Sequence, residues 1–433
     1  MPPLRRGAGE LMGMRRRRNI IVGLDVGTTK TCAVVAAPAE EARLRVLGVG
    51  TAPSRGLRRG EIVDVEETIA SIVSAVEEAE RASDTEIHSV FAGITGDHVE
   101  TRNARGVAPI ETDSNEITQA DIDRAIDSAQ AMARSIDREI VHAIPSGFVV
   151  DGVSGIRDPR GLCGRRLEVH VHLVTGALLA AQNLVKCINK AGFEVEDIVF
   201  QPIAAGRAAL TNTDRQVGVI LIDIGGGTTD FAVFSDGHLH FSGVLAIGGD
   251  DISRDISKIL RIPPSKAEEL KLKHGQAVAA HVKDGEVFTL PGTLDTKPHD
   301  ESARLLAEII EARYREILQI AKEAIERSDC GHLIGSGVVL TGGTCLLKGS
   351  RDLARSVFNN MGTRLGQPLD ITGTIEPINS PMYATAVGLA QYGTEFRESN
   401  EIVGHTANTF RVMQDVVNRV RAWVRQRLKI AGL

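Results

Sequence analysis

Two short stretches hold the residues whose types and spacing could do chemistry. In residues 21–35 an apolar run ends in Asp25, turns through Val26-Gly27-Thr28-Thr29 and becomes a second apolar run. In residues 219–234 the order returns: apolar run, Asp223, Ile224-Gly225-Gly226-Gly227-Thr228, apolar run. A tight turn of Gly and Thr between strands points successive backbone N–H groups at one spot, a nest for an anion. Glycine permits the close approach, and threonine hydroxyls add donors. A carboxylate facing the same spot would repel phosphate unless a hard cation stood between. Mg2+ suits that place, since it takes a few carboxylates together with waters and phosphate oxygens. Two such hairpins facing each other would clamp the tail of a nucleoside triphosphate. Either one alone reads equally well as a plain glycine turn. Two copies, each headed by an aspartate, point to a site. A third piece, "VVLTGGTCLLKG" at 338–349, places paired glycines after an apolar strand, where a base or ribose can lie flat on the backbone.

These turns need strands and helices behind them. Apolar spacing at Ile69, Ile72, Val73 and Val76 predicts a helix over 65–83. A strand starts near Ser89. Thr118 with Asp121 three residues on is a capping-box-like start for a helix over 118–134. "LEVHVHLVTG" alternates as a strand and leads into a helix at 177–191, with another beginning near Ala204. A polar helix at 264–274, a small strand-rich piece before 302, a long helix at about 302–328, a strand–turn–helix at 337–349 and a short helix opened by Pro381 follow. Strands alternating with helices around a duplicated hairpin predict two similar α/β lobes with a cleft between them.

The set "GLDVGTTKT", "QPIAAG", "IDIGGGTTD", "VVLTGGTCLLKG" and "SPMYATAVG" resembles the nucleotide-site segments of the actin, sugar-kinase and heat-shock-chaperone ATPase superfamily. The resemblance implies a two-lobed actin-like α/β fold that binds ATP with Mg2+. On matching positions, Gly27, Thr28, Thr29 and Lys30 would form the first phosphate loop, and Gly225, Gly226, Gly227 and Thr228 the second. Asp25 and Asp223 would hold Mg2+, mostly through waters. Gly342 and Gly343 would face the adenosine, with Glu268 and Lys271 as its ribose- and adenine-contacting pair. Taken from spacing alone, Glu268 and Lys271 are an exposed helix pair. Gln201 falls where actin-like members carry a water-positioning residue. Glutamine can orient a water but cannot take its proton, so ATP binding is expected, with hydrolysis weak or absent.

Most of the chain, roughly 19–395, is similar to one branch, the FtsA family of bacterial cell-division proteins. The discriminating stretch is "IPSGFVVDGVSGIRDPRGLCGRRLEVHVHLVTG". It looks like the end of that family's inserted α+β subdomain, expected over 86–167. The first lobe would then comprise 19–85 and 168–215. The second lobe would run over 216–393, with 264–302 in its small subdomain. A linker at 394–408 would complete the body. The resemblance implies a protein that binds the C-terminal tail of the tubulin-like FtsZ, assembles with itself and recruits later division proteins. It would sit peripherally on the cytoplasmic side of the inner membrane at the division site. Arg313 and Tyr314 are candidate contacts for the FtsZ tail; exposed helix residues without a role is the alternative. Other actin-like filament or pilus-assembly proteins, or a small-molecule kinase, remain rivals. No segment resembles a sugar-kinase substrate loop.

The last residues, 409–433, read as an amphipathic helix. Phe410, Met413, Val416, Val417, Val420, Trp423, Val424 and Leu428 share one face. Arg421, Arg425 and Lys429 flank or oppose it, and Trp423 is the chain's single tryptophan. A basic amphipathic helix of this kind lies in a membrane interface and is drawn to anionic lipid. Docking on the body or coiled-coil pairing is the other reading. Family resemblance favours the membrane.

Charge is unevenly placed. The chain carries −6 overall, yet residues 1–18 and residues 408–433 carry +5 each, leaving the body at −16. Such a body argues against nucleic-acid binding, which needs cationic surface. Residues 1–18 read as a disordered basic arm. Five scattered cysteines without a CxxC fit reduced thiols. No apolar run predicts a transmembrane helix, and the N-terminus lacks the apolar core of a signal peptide.

Overall fold

The computed structural model describes residues 20–39, 43–111, 114–290, 298–373, 376 and 378–403. The arm expected at 1–18 and the tail helix expected at 409–433 lie outside the described residues.

The first lobe is built on a meander, β1 (Ile21–Val26), β2 (Lys30–Ala37) and β3 (Leu44–Pro53), all antiparallel. β1 and β2 are apolar almost throughout because helices cover both faces of their sheet. A short hairpin, β4 (Leu57–Arg58) and β5 (Glu61–Ile62), precedes α1 (Val65–Ser83). The Asp64 side chain accepts from the Glu67 N–H and so caps α1. β6 (Ser89–Ile94) then adds in parallel beside β1.

An insert follows. β7 (Glu100–Pro109), α2 (Gln119–Ala131), β8 (Arg138–Val150), β9 (Val153–Ile156) and β10 (Arg166–Ala177) make a four-stranded sheet in the order β7-β10-β8-β9. α2 lays Ile122, Ala125, Ile126 and Ala129 on that sheet, giving the insert its own core. At the start of α2 the Asp121 carboxylate accepts from both the Thr118 N–H and the Thr118 hydroxyl. The sheets correct the insert boundaries expected at 86–167. β6 pairs with β1, so the insert opens after Ile94, and β10 stays in the insert sheet as far as Ala177. An apolar run such as "SVFAGI" suits either sheet, and only pairing assigns it.

The chain returns through α3 (Leu178–Lys190) and β11 (Glu194–Phe200), which closes the first sheet beside β6. α4 (Gln201–Ala209) and the short α5 (Asn212–Val217) lead into the second lobe. There β12 (Val219–Ile224), β13 (Thr229–Ser235) and β14 (His238–Leu245) repeat the β1–β3 meander. α6 (Gly249–Leu260), α7 (Pro264–His274), the ribbon of β15 (Val287–Leu290) and β16 (His299–Ser302), and α8 (Ala303–Arg327) follow. β17 (Gly337–Thr341), α9 (Ser350–Val357) and β18 (Thr363–Leu365) complete the sheet β14-β13-β12-β17-β18. β19 (Ile371–Gly373) crosses back to pair with β3.

α10 (Ala384–Val403) ends the described chain. It lies against the first sheet at glycine distance: a Cβ on Gly23 would stand 2.2 Å from the Ala386 carbonyl oxygen, and one on Gly388 1.7 Å from that of Ala204. α4 and α10 thus share one core with both sheets. The linker expected at 394–408 is corrected over 394–403, where α10 continues. Thr394 and Phe396 are buried, and Arg397 pairs with Glu196. No helix among the described residues is long and apolar enough to cross a membrane. All five cysteines are free; four are buried and Cys163 is exposed.

Candidate nucleotide-binding site

The two glycine hairpins repeat bond for bond. The Gly27 N–H donates to Lys30 O at 3.1 Å, and the Gly225 N–H donates to Thr228 O at 2.9 Å. Asp25 lies across from Cys32 in the first, Asp223 across from Asp230 in the second. The tips interlock. A Cβ on Gly226 would stand 2.3 Å from Thr29 Cγ2, and one on Gly227 2.6 Å from Thr28 Oγ1. By position in the hairpin, Thr28 corresponds to Gly226 and Thr29 to Gly227. Each residue therefore touches the counterpart of its neighbour, the pattern of a local pseudo-two-fold axis. Only glycine fits on the second side, because the first side already fills the gap with threonine methyl and hydroxyl groups.

A cavity of about 360 Å³ lies between the lobes, within the range of small-molecule sites. Its walls include Asp25, Gly27, Thr28, Thr29 and Lys30 from the first lobe, and Asp223, Gly225, Gly226 and Thr228 from the second. Gln201, Glu268, Lys271, Gly342 and Gly343 line it too. Gly227 does not; it is spent on contact with Thr28.

The carboxylates are held from behind. Gln201, at the start of α4, donates its amide Nε2–H to Asp25 Oδ1 at 3.0 Å. Thr385, at the start of α10, donates to Asp223 Oδ2 at 2.8 Å. Burial raises Asp25 from 3.8 to about 6, opposed by the Lys30 ammonium and aided by Asp223. Burial also raises Asp223, against the Thr385 hydrogen bond and Lys30. Lys30 itself donates Nζ–H to Met382 O at 2.6 Å and stands 4.1 Å from the centre of the Tyr383 ring.

Such a set fits a hydrated divalent cation. Two carboxylates with raised proton affinity face one cavity, and a cation arriving there would relieve the desolvation that raises them. Among the described residues no three His, Cys, Asp or Glu side chains form a ready metal cage. Mg2+ would therefore rest on Asp25 and Asp223 with waters and phosphate oxygens completing its shell. Gly342 fits as well: its φ is +87°, and a Cβ there would meet Asp223 Oδ1 at 2.4 Å, whereas at Gly343 a Cβ would meet nothing within 4 Å. The first glycine packs against Asp223 and Ile224; the second leaves open space.

On the α7 side of the cavity, Lys271 is buried rather than exposed. Its Nζ–H groups go to Gly249 O at 2.9 Å and Glu268 Oε2 at 2.7 Å. Glu268 accepts from Ser253 in turn. The pair is thus fixed against the start of α6 and lines the cavity.

Sequence reasoning missed Asp230 and Thr95. Asp230 is fully buried, and its acidity is suppressed, first by burial. Thr95, at the end of β6, donates to it across the cleft. Asp230 closes the quoted "IDIGGGTTD" and could have been read there; Thr95 carries no sequence signal. Tyr314 corrects the opposite way. It is fully buried in the core of the second lobe, so it is no surface contact. Arg313 is half-buried and engaged, with Nε donating to Asp255 at 2.6 Å and Nη1 to Glu316. Every membrane-facing candidate from Phe410 to Lys429 lies outside the described residues.

Two lobes with a duplicated hairpin meander, a shared helical floor and paired carboxylates in the cleft define an actin-like ATPase fold. Solved structures agree. The PilM–PilN type IV pilus biogenesis complex superposes with a TM-score of 0.65 at 16% identity, covering 86% of this chain and 98% of that one. MreB5 of Spiroplasma citri bound to ADP gives 0.53 at 15% identity, covering 89% and 99%. Sequence narrows the class. The profile described as "Cell division protein FtsA" matches residues 220–388, and "SHS2 domain inserted in FTSA" matches 96–175. Cell division protein FtsA of Pseudomonas aeruginosa is 38% identical, covering 94% of this chain and 97% of the relative. That of Escherichia coli K12 is 33% identical over 94% and 98%. The Bacillus subtilis protein is 37% identical over 86% and 83%. The chain belongs to the FtsA family of cell-division proteins.

Proposed function

We propose that this protein is an actin-like adaptor of cell division that binds ATP with Mg2+ in the interlobe cleft. It ties the FtsZ ring, through the FtsZ C-terminal tail, to the cytoplasmic face of the inner membrane. The observation carrying the nucleotide part is the interlocked pair of Asp-headed hairpins around one cavity. MreB5, of the same fold, has been solved with ADP and with AMPPNP. In the cleft, backbone N–H groups of both turns would hold the phosphates, and Asp25 and Asp223 the hydrated cation. Mg2+, when bound, supplies charge neutralisation of the phosphates. Gln201, tied to Asp25, orients water without taking a proton, so turnover is slow. Family membership supports the division role, self-assembly and recruitment of later division proteins. The basic amphipathic sequence at 409–433 supports peripheral attachment to anionic lipid.

The test uses vesicles with and without anionic lipid. The full chain should co-sediment with anionic vesicles and carry FtsZ with it. A chain ending at residue 407 should do neither while still binding fluorescent ATP. Equal sedimentation of the two chains would refute the membrane reading. Absence of Mg2+-dependent ATP binding would refute the nucleotide reading separately.

A further inference from the structure

The insert does more than stand beside the first lobe. β14 is the edge strand of the second lobe's sheet, and an exposed edge leaves a row of backbone groups unpaired. Here β7 of the insert covers it with side chains. Thr101 donates its hydroxyl to Ser242 O. Two residues on, and so on the same face of the strand, Asn103 donates Nδ2–H to His240 O at 3.0 Å.

A third side chain closes the set. His172 of β10 is fully buried beside Asn103, its cross-strand neighbour. Its Nδ1 lies 2.6 Å from Asn103 Oδ1 and its Nε2 2.8 Å from Ser242 Oγ. The carbonyl oxygen of Asn103 only accepts, so Nδ1 carries the proton. Nε2 then accepts from the Ser242 hydroxyl. The chain of bonds runs from His240 O through Asn103, His172 and Ser242, and Thr101 returns to Ser242 O. Each polar group in it has a partner. His172 and Ser242 are buried, while Asn103 closes the set from the exposed rim, and removing a link to the two buried members strands polar groups there. Just before β7, Thr95 also reaches across to Asp230 in the cleft. One run of chain, from the end of β6 through β7, thus spans both lobes.

We propose that the insert is a clasp on the cleft. Its Thr101, Asn103 and His172 must let go of β14 before the lobes can part and nucleotide can leave. The rate of nucleotide exchange is then set in part by whatever holds or moves the insert. This regulation rests on the nucleotide reading given above.

The test measures release of a fluorescent (mant) ATP with Mg2+ from the full chain by stopped flow. Asn103→Ala and Ser242→Ala should each release it about tenfold faster, equivalent to ~1.4 kcal/mol off the barrier. Ser128→Ala, on α2 with its hydroxyl accepting from Val107 N at 3.5 Å, should not. Unchanged release in both clasp variants overturns the proposal. A second readout needs no nucleotide. The insert's side chains hold the His240 and Ser242 carbonyls, so the His240 and Ser242 amides report whether that stretch of β14 stays covered. Their hydrogen exchange should quicken about tenfold in Asn103→Ala; unchanged protection there overturns the clasp. If the wild-type chain binds no mant-ATP, the nucleotide reading fails, and the exchange measurement still decides the clasp. Should Asn103→Ala not fold, Thr101→Val removes one bond at constant shape and is read the same way.

Discussion

Asp25→Asn should stabilise the ligand-free protein and weaken its response to Mg-ATP. Burial raises the Asp25 carboxyl from 3.8 to about 6. A raised carboxyl costs nothing below 3.8, where both folded and unfolded chains hold the proton. Between 3.8 and 6 the unfolded chain ionises first, and stability is lost at ~1.4 kcal/mol per pH unit. Above 6 the loss levels off at about 3 kcal/mol. Asparagine carries no such cost and keeps an oxygen to accept from Gln201. At ~2.1 cal/mol/K per residue, unfolding entropy over 433 residues converts 3 kcal/mol into a rise of about 3 °C in melting temperature. The assay is thermal melting of ligand-free wild type and variant from pH 4 to pH 8. The variant's advantage should be near zero at pH 4, about half-developed at pH 5 and full at pH 7. In the same assay with saturating Mg-ATP the wild type should gain more than the variant, reversing the order. A pH-independent advantage, or a variant that melts lower at pH 7, would refute the reasoning.

Other substitutions separate the parts of the site. Gly226→Ala drives a methyl group to within 2.3 Å of Thr29 Cγ2; equilibrium binding should show tenfold or more loss of ATP affinity, partly restored by Thr29→Ala. Lys271→Met keeps the bulk but removes the hold on Gly249 O and Glu268; adenine nucleotides should bind about tenfold more weakly by calorimetry, with inorganic triphosphate unaffected. Tyr314→Ala opens a core cavity and should cost ~3–5 kcal/mol in denaturant unfolding, while Tyr314→Phe should cost little and leave FtsZ-peptide binding unchanged.

The cleft was legible because its chemistry repeats. An aspartate at a strand end followed by Gly and Thr is informative twice over when it occurs twice. The insert was recognisable as a segment, but its ends were not, since β6 and β10 are apolar strands that suit either sheet. The second half of α10 was misread because Glu395, Arg397 and Glu398 dominate its surface composition, while the packing rests on Thr394 and Phe396. Tyr314 was misjudged as a surface contact. Ile310, Ile317 and Leu318, at helical spacing from it and buried with it, held the signal that it faces the core. The cross-lobe bonds of Thr95, Asn103 and His172 had no trace in the sequence, because nothing local marks which strand edge a side chain will meet.

α10 starts beside the cleft carboxylates and ends the described chain. Its first turn carries Thr385, bonded to Asp223, and it runs 20 residues to Val403. At ~1.5 Å per residue that is a rod of about 30 Å. Gly23 and Gly388 bring its backbone against the first sheet and α4 with no room for a side chain between, so it cannot slide or roll without moving both. It is a strut of fixed length: the Asp223 carboxylate at one end and Val403 at the other are held to the same packed frame of first sheet and α4.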